Sequence, residues 1–314
     1  MNFSEDVNKA ICNLAKEHKE ILCIYKIGLS LENTPILAIN LGLGKKKILI
    51  NATHHARELI NTILLLDQIQ YIVNLYETNA SVKDISIREL LNDITFVFVP
   101  LVNPDGADLV LNGISSVSNQ YINMFPLKRE FFESWKSNIR GVDLNRNYPT
   151  GYPSSDTVNY PGSKGYTGPW YFSEPETCAL KDLTESCLFE GSISYHSSGE
   201  EIYWEFNQLE EEKYRDFQIA KIISEETGYV LIEEPRPNRG NGYKDWFIEN
   251  YKKPALTMEV SPYVGERKVP IKYYQRIFQQ NKNPRANKYT GSLLLFIIRK
   301  YGSLLPILQI QWIP

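Results

Sequence analysis

Histidine is scarce in this chain: four in 314 residues, so any chemistry that needs imidazole must draw on His18, His54, His55 or His196. Cysteine is as rare. Cys12, Cys23, Cys178 and Cys187 show no CxxC spacing, which argues against a disulfide scaffold or a thiolate zinc site. They are expected to be reduced, largely buried, small apolar residues. No apolar run reaches the roughly eighteen residues that a membrane span needs. The nearest, Ser292 to Ile298, is short and runs into Arg299-Lys300. The N-terminus, Met1-Asn2-Phe3-Ser4-Glu5-Asp6, lacks a basic stretch followed by an apolar one. A cytoplasmic location is expected on that ground, or export by a route the sequence does not reveal. A large excess of one charge sign is lacking too: the net charge is −3, leaving no electrostatic footprint for nucleic acid or an anionic membrane.

What is present is an ordinary globular composition, 43% hydrophobic and 23% charged, with enough chain for a sizeable core. Residues 4–22 read as an amphipathic helix with Ser4 as its cap. Ile21–Ile27 and Thr34–Leu41 read as strands joined by a turn, and Lys47–Ala52 as a third strand. Leu59–Tyr76 has the period of a long buried helix. Ile94–Leu101, Glu190–Tyr195 and Ala255–Val260 are near-continuous apolar strands, of the kind covered on both faces. Helices alternating with such strands predict an α/β layered fold in one domain. Asn147–Gly168, rich in Tyr, Pro, Gly and Ser, reads as a long surface loop, and unstructured loops of that length are usually functional.

His55 and Glu58, three apart between a strand and a helix, can converge on one ion. Imidazole and carboxylate both suit zinc, and a catalytic zinc needs three protein ligands and one open position. His54, four before Glu58, also reaches that position by spacing. His18, within Lys16-Glu17-His18-Lys19-Glu20, reads as part of a solvated helix face. His196 closes the apolar strand 190–195, and α/β folds place their sites at the ends of such strands; it is the natural third ligand. Two polar clusters, Asn103-Pro104-Asp105-Gly106 and Gly141-Val142-Asp143-Leu144-Asn145-Arg146-Asn147-Tyr148, follow. Asp245-Trp246 precedes the strand carrying Glu259, and an acid on a buried strand must be paired, ligated or catalytic.

Taken in order, His55-x-x-Glu58, Asn103-Pro104-Asp105-Gly106, Asp143-Leu144-Asn145-Arg146-Asn147, His196-Ser197 and Glu259 make the chain resemble the zinc metallocarboxypeptidases of the carboxypeptidase A type. The resemblance runs from about residue 5 to residue 285. It implies a single-domain α/β/α sandwich with a central mixed, mostly parallel, twisted sheet of about eight strands. Residues 1–287 would be the catalytic domain and 288–314 a C-terminal extension, an added helix and strand or an interface. The resemblance further implies one zinc ion per chain on His55, Glu58 and His196, and selects His55 over His54. Glu259 would be the general base, taking a proton from water and passing it to the leaving amine. Asp143 would orient a ligating imidazole, that of His55. Asn145 and Arg146 would grip a substrate carboxylate, and Arg57 would add a contact in the cleft.

Two positions depart from the pattern. The arginine that stabilises the oxyanion has no exact counterpart: Lys136 aligns best and Arg140 is the alternative. The mobile tyrosine of the digestive enzymes is replaced by Pro237, with Tyr243 the nearest substitute. Lys244, where those enzymes have the base of the specificity pocket, favours a substrate with an extra carboxylate if its charge faces the pocket; otherwise it is a solvated loop lysine. The segments 195–204 and 242–248 are similar to the bacterial branch that cleaves the γ-D-glutamyl–meso-diaminopimelate bond of peptidoglycan stem peptides. The expected partner is therefore a peptide or muropeptide, not nucleic acid or membrane. An aspartoacylase-like deacylase of N-acyl amino acids and a general carboxypeptidase are the alternatives, and a non-catalytic peptide-binding relative is a third.

Overall fold

The computed structural model describes residues 2–82, 85–118, 129–150, 156–232 and 242–282. Pro237 and the tail 288–314 lie outside these residues, as does part of the loop 147–168. Eight strands form one mixed sheet: β1 (Leu22–Leu29), β2 (Pro35–Leu41), β3 (Lys46–Ala52), β4 (Ile94–Val99), β5 (Phe189–Ser197), β6 (Glu201–Tyr203), β7 (Val230–Ile232) and β8 (Ala255–Val260). Their order across the sheet is β1-β2-β4-β3-β5-β8-β6-β7. The central pairs β4–β3, β3–β5 and β5–β8 are parallel. The β1–β2, β2–β4 and β8–β6 pairs are antiparallel, and β6–β7 is parallel again.

The apolar strands lack alternation because both faces are covered. Along β4, Ile94, Phe96 and Phe98 enter one core while Val97 and Val99 enter the other. On β3, Ile48, Ile50 and Ala52 take the first side and Leu49 the second. The first core is closed by α1 (Phe3–Glu17), α2 (Leu59–Glu77), α3 (Ile87–Asp93), α6 (Glu210–Thr227) and α8 (Tyr274–Lys282). The second is closed by α5 (Pro175–Ser186) and α7 (Tyr243–Tyr251). With α4 (Pro104–Asn112) packed at one end beside Trp135 and Ile139, the chain is an α/β/α sandwich. Among the described residues no helix is long and apolar enough to cross a membrane.

Some local expectations are corrected. Helix α1 starts after Asn2 and stops at Glu17, and Ser4 is not its cap; the Ser4 hydroxyl donates instead to Asp108 on α4. His18 is not on a solvated face. It caps α1, is only 8% exposed, and its Nδ1 lies 2.7 Å from Glu77 at the end of α2. Tertiary contact with Glu77 at the end of α2 helps bury a residue whose neighbours in sequence are all charged. The cysteines are free, as expected, but none is fully buried and Cys23 is exposed.

The Asn103-Pro104-Asp105-Gly106 motif is a clamp. Asn103 caps α4 by accepting from the Gly106 N–H, and its amide donates to the His54 carbonyl at 3.0 Å and the Ser137 carbonyl at 3.3 Å. Asp105 accepts from Ser30, Thr34 and the Glu32 N–H. A Cβ on Gly106 would stand 2.4 Å from the Asn103 Oδ1, so only glycine permits this cap.

Candidate active site

Three parallel strands deliver the site at their C-terminal ends, where open α/β sheets place ligands. Chain leaving β3 turns at Thr53, runs through His54-His55-Ala56-Arg57 and enters α2 with Glu58 as N-cap. This corner is held by Thr53, whose hydroxyl reaches Thr62 and the Glu58 carbonyl, and by the Ala56 N–H donating to the Lys136 carbonyl. The start of α2 also places partial positive charge beside the Glu58 carboxylate. His196 projects from β5 and Glu259 from β8, register partners on adjacent parallel strands. Both point away from the first core, since their neighbours Tyr195, Met258 and Val260 belong to it.

His55 Nδ1 lies 2.9 Å from Glu58 Oε1, His196 Nδ1 lies 3.1 Å from Glu58 Oε2, and the two Nδ1 atoms are 3.1 Å apart. All three residues are buried. Two imidazole nitrogens that close, facing one carboxylate, leave too few protons for mutual hydrogen bonds, so the lone pairs point at a common centre. That donor set, two nitrogens and a carboxylate, fits zinc. Among the described residues this is one of two clusters able to hold a metal; the other is His18, Glu20 and Glu77.

The second imidazole of the His54-His55 doublet is excluded from the centre. His54 Nε2 meets the Tyr148 hydroxyl at 3.0 Å, and burial, helped by His196 and His55, holds its pKa well below the ordinary histidine value. Tyr148 closes the polar cluster 141–148 read from the sequence, which assigns it no role of its own. Behind His55, Asp143 Oδ1 stands 3.4 Å from Nε2 and its Oδ2 accepts from the Gly165 N–H at 2.9 Å. Gly165 has a φ of +79° and a Cβ there would meet the Asp156 carbonyl at 2.4 Å. Burial pushes the Asp143 carboxyl upward, but the His55 contact, with Arg146 and Lys136, prevails and holds it far below the ordinary range. Glu58 behaves likewise: burial is outweighed by His55 and His196. His55 is raised, because Glu58 and Asp143 outweigh burial. Glu259 is raised by burial and by the Glu58 charge.

The remaining candidates divide. Lys136 is part-buried and its charge acts on Glu259, His55 and Asp143. Arg140 is turned elsewhere: its guanidinium grips the buried Glu174 through Nε and Nη2, at 3.2 and 2.8 Å, and donates to the Ser173 carbonyl. Asn145 faces His196 Nε2 at 3.5 Å and accepts from the Tyr243 N–H. Arg146 is held through two nitrogens by Asp156, at 3.1 and 3.3 Å. Tyr243 is fully buried with its hydroxyl on Thr184 at 2.9 Å, so it is a wall rather than a swinging side chain. Lys244 is neither solvated nor free: it is 7% exposed, paired with Asp245, and bonded to the Glu205 carbonyl. Arg57 is 5% exposed and paired with Glu266 at 2.7 Å. Sequence reasoning missed Glu266 and Asp156, because each meets its arginine only through loop folding.

A metal centre of two histidines and a glutamate, with a further carboxylate beside it and cations around it, defines a zinc hydrolase. The family model for zinc carboxypeptidase matches residues 7–265, and the chain belongs to that family. It is 33% identical over 259 residues to gamma-D-glutamyl-L-diamino acid endopeptidase 1 of Lysinibacillus sphaericus, covering 81% of this chain and 64% of that protein. The chain thus spans under two thirds of that relative's length. It is 29% identical over 221 residues to human carboxypeptidase A5, covering 65% of this chain and 44% of the relative. The fold matches bovine thrombin-activatable fibrinolysis inhibitor, solved with a tick carboxypeptidase inhibitor, at a TM-score of 0.71 and 17% identity, over 96% of this chain and 97% of the other.

Proposed function

We propose that this peptidase hydrolyses the γ-D-glutamyl–meso-diaminopimelate bond of peptidoglycan stem peptides, with residues 1–287 as its catalytic unit. The similarity to a gamma-D-glutamyl-L-diamino acid endopeptidase carries the reading. The cations about the site, Arg146, Lys136 and Arg57, support it, because such a substrate carries free carboxylates on both sides of the scissile bond.

His55, Glu58 and His196 would hold the zinc, whose chemistry when bound is Lewis-acid polarisation of a carbonyl and a lowered water pKa. Glu259, half-buried beside His196, takes the proton of the attacking water and returns it to the leaving amine. Its raised pKa suits a group that must hold that proton between the two transfers. Asp143 orients the His55 ring through its charge, with Oδ1 3.4 Å from Nε2. Lys136, rather than Arg140, supplies positive charge for the developing oxyanion, since Arg140 is committed to Glu174. Asn145 and Arg146 orient the leaving-side carboxylate through the planar guanidinium fork. Lys244, paired with Asp245, shapes the pocket rather than presenting a free charge.

The test is a digest of L-Ala-γ-D-Glu-meso-diaminopimelate beside hippuryl-phenylalanine and N-acetylaspartate, read by mass spectrometry. Release of diaminopimelate from the tripeptide is expected. Cleavage of hippuryl-phenylalanine alone would make the protein a general carboxypeptidase, and cleavage of N-acetylaspartate alone a deacylase.

A further inference from the structure

Arg57 sits at the His55–Glu58 corner, 5% exposed. Its Nη1 donates to the Ser134 carbonyl at 3.1 Å and to Glu266 at 2.7 Å. Its Nε is buried and has no partner among the described residues. A guanidinium presents its donors as a planar fork matched to a carboxylate, and here a buried donor of that fork is unused. Glu266 lies on the irregular segment 261–270 after β8, with its side chain 53% exposed. Lys164 Nζ is 3.4 Å from the same carboxylate. Burial works to raise the Glu266 pKa, but Lys136, Arg57 and Lys164 together hold it below the ordinary range. Two cations from separate segments, Arg57 and Lys164, therefore meet on one half-exposed carboxylate beside the metal corner.

We infer that Glu266 is an internal stand-in for a substrate carboxylate: Arg57 and Lys164 form a second anion subsite, on the acyl side of the scissile bond, and Glu266 leaves it when substrate enters. The inference rests on the reading above, in which Arg146 takes the leaving-side carboxylate. A γ-linked glutamyl residue keeps its α-carboxylate free on the acyl side, whereas an α-linked residue has a neutral amide there. An acyl-side anion subsite thus selects γ-linked substrates, and Glu266 sets how strongly.

Displacement is energetically accessible because Glu266, the moving partner, is 53% exposed, and an ion pair open to solvent on that side contributes about 1 kcal/mol. By the same measure, removing the competing carboxylate should strengthen binding of an incoming one by about five-fold. The arginine has a vacant donor to offer the newcomer, which Glu266 in its present pose does not use.

The experiment compares the zinc-loaded wild type with Glu266→Gln on two substrates: L-Ala-γ-D-Glu-meso-diaminopimelate and its α-carboxamide counterpart. The ratio of their kcat/KM values, carboxylate over carboxamide, should rise about five-fold in the variant, through KM. An unchanged or falling ratio overturns the proposal. So does a loss in the variant that appears only with a free substrate amine and vanishes on N-acetylation, which would make Glu266 an amine receptor. Calorimetric titration with glutarate needs no turnover and is expected to show tighter binding to Glu266→Gln by a similar factor. If glutarate binding tightens while the tripeptide resists cleavage, the peptidoglycan reading fails and this one stands. If the tripeptide is cleaved but neither the ratio nor glutarate binding moves, only this one fails.

Discussion

Glu259 and His196 are register partners across the parallel β5–β8 pair, so a metal-ligating imidazole and a carboxylate share one sheet face at the same level. Adjacent strands lie about 4.8 Å apart in a sheet, which seats Glu259, the proposed base, beside His196 without any loop having to position it. Substituting Glu259→Gln keeps size and polarity and removes the proton acceptor. The expected outcome is a fall in kcat of at least about a hundred-fold with zinc content by elemental analysis unchanged. Loss of zinc in the variant would show that Glu259 acts as a ligand instead.

Metal removal should disable the enzyme and weaken the fold. Without the ion, His55, Glu58 and His196 are left with nitrogens 3.1 Å apart facing one carboxylate, and a bound ion contributes to stability by mass action. A chelator-treated sample is expected to lose activity, to melt at lower temperature, and to recover both on addition of zinc. His196→Ala should melt like the chelated enzyme and gain nothing from zinc.

Asp143 touches His55 on the side away from the metal. Asp143→Asn keeps the shape but removes the charge proposed to orient the ring. Zinc affinity is expected to fall by about ten- to a hundred-fold, measured by competition with a chromogenic chelator. An unaltered affinity would mean that the Gly165 contact is the residue's whole purpose.

Glu176, on α5, is fully buried beside Glu174 and Asp105, and burial pushes its carboxyl from 4.5 to about 8. A raised carboxyl pKa stabilises the fold fully below the unfolded value, and that contribution is lost as pH rises through the folded value. Between these limits the native state holds a proton the unfolded chain has released, so stability falls with pH by up to about 1.4 kcal/mol per unit. Glu176→Gln removes this linkage. Urea midpoints for the variant minus the wild type should therefore increase steadily from about pH 5 to about pH 8. A difference independent of pH would contradict the assignment.

Lys136 and Arg140 make a paired test of the oxyanion assignment. Lys136→Ala is expected to lower kcat by roughly a hundred-fold with little change in melting temperature. Arg140→Ala breaks the grip on buried Glu174 and should cost stability, on the order of 3 kcal/mol, more than turnover. Thermal unfolding and steady-state kinetics on both variants separate the two roles, and the reverse pattern would return Arg140 to the site.

Sequence alone determined the layered α/β fold, the bounds of β3, α2 and β8 to within a residue or so, and the metal cluster. These rest on periodicity and on residue types whose chemistry is restrictive: continuous apolar strands demand cover on both faces, and His55-x-x-Glu58 sits where strand meets helix. Spacing alone left both imidazoles of the His54-His55 doublet open and the family resemblance selected His55; tertiary structure supplies the physical reason, because Tyr148, brought across by the second core, draws His54 aside. Tertiary structure decided what each cation is for. Arg140 meets Glu174, Lys244 meets Asp245, and Arg57 meets Glu266 from the far end of the chain. A charge states its sign in the sequence, but its partner, and so its freedom to act on a substrate, is set by which distant segment folds against it.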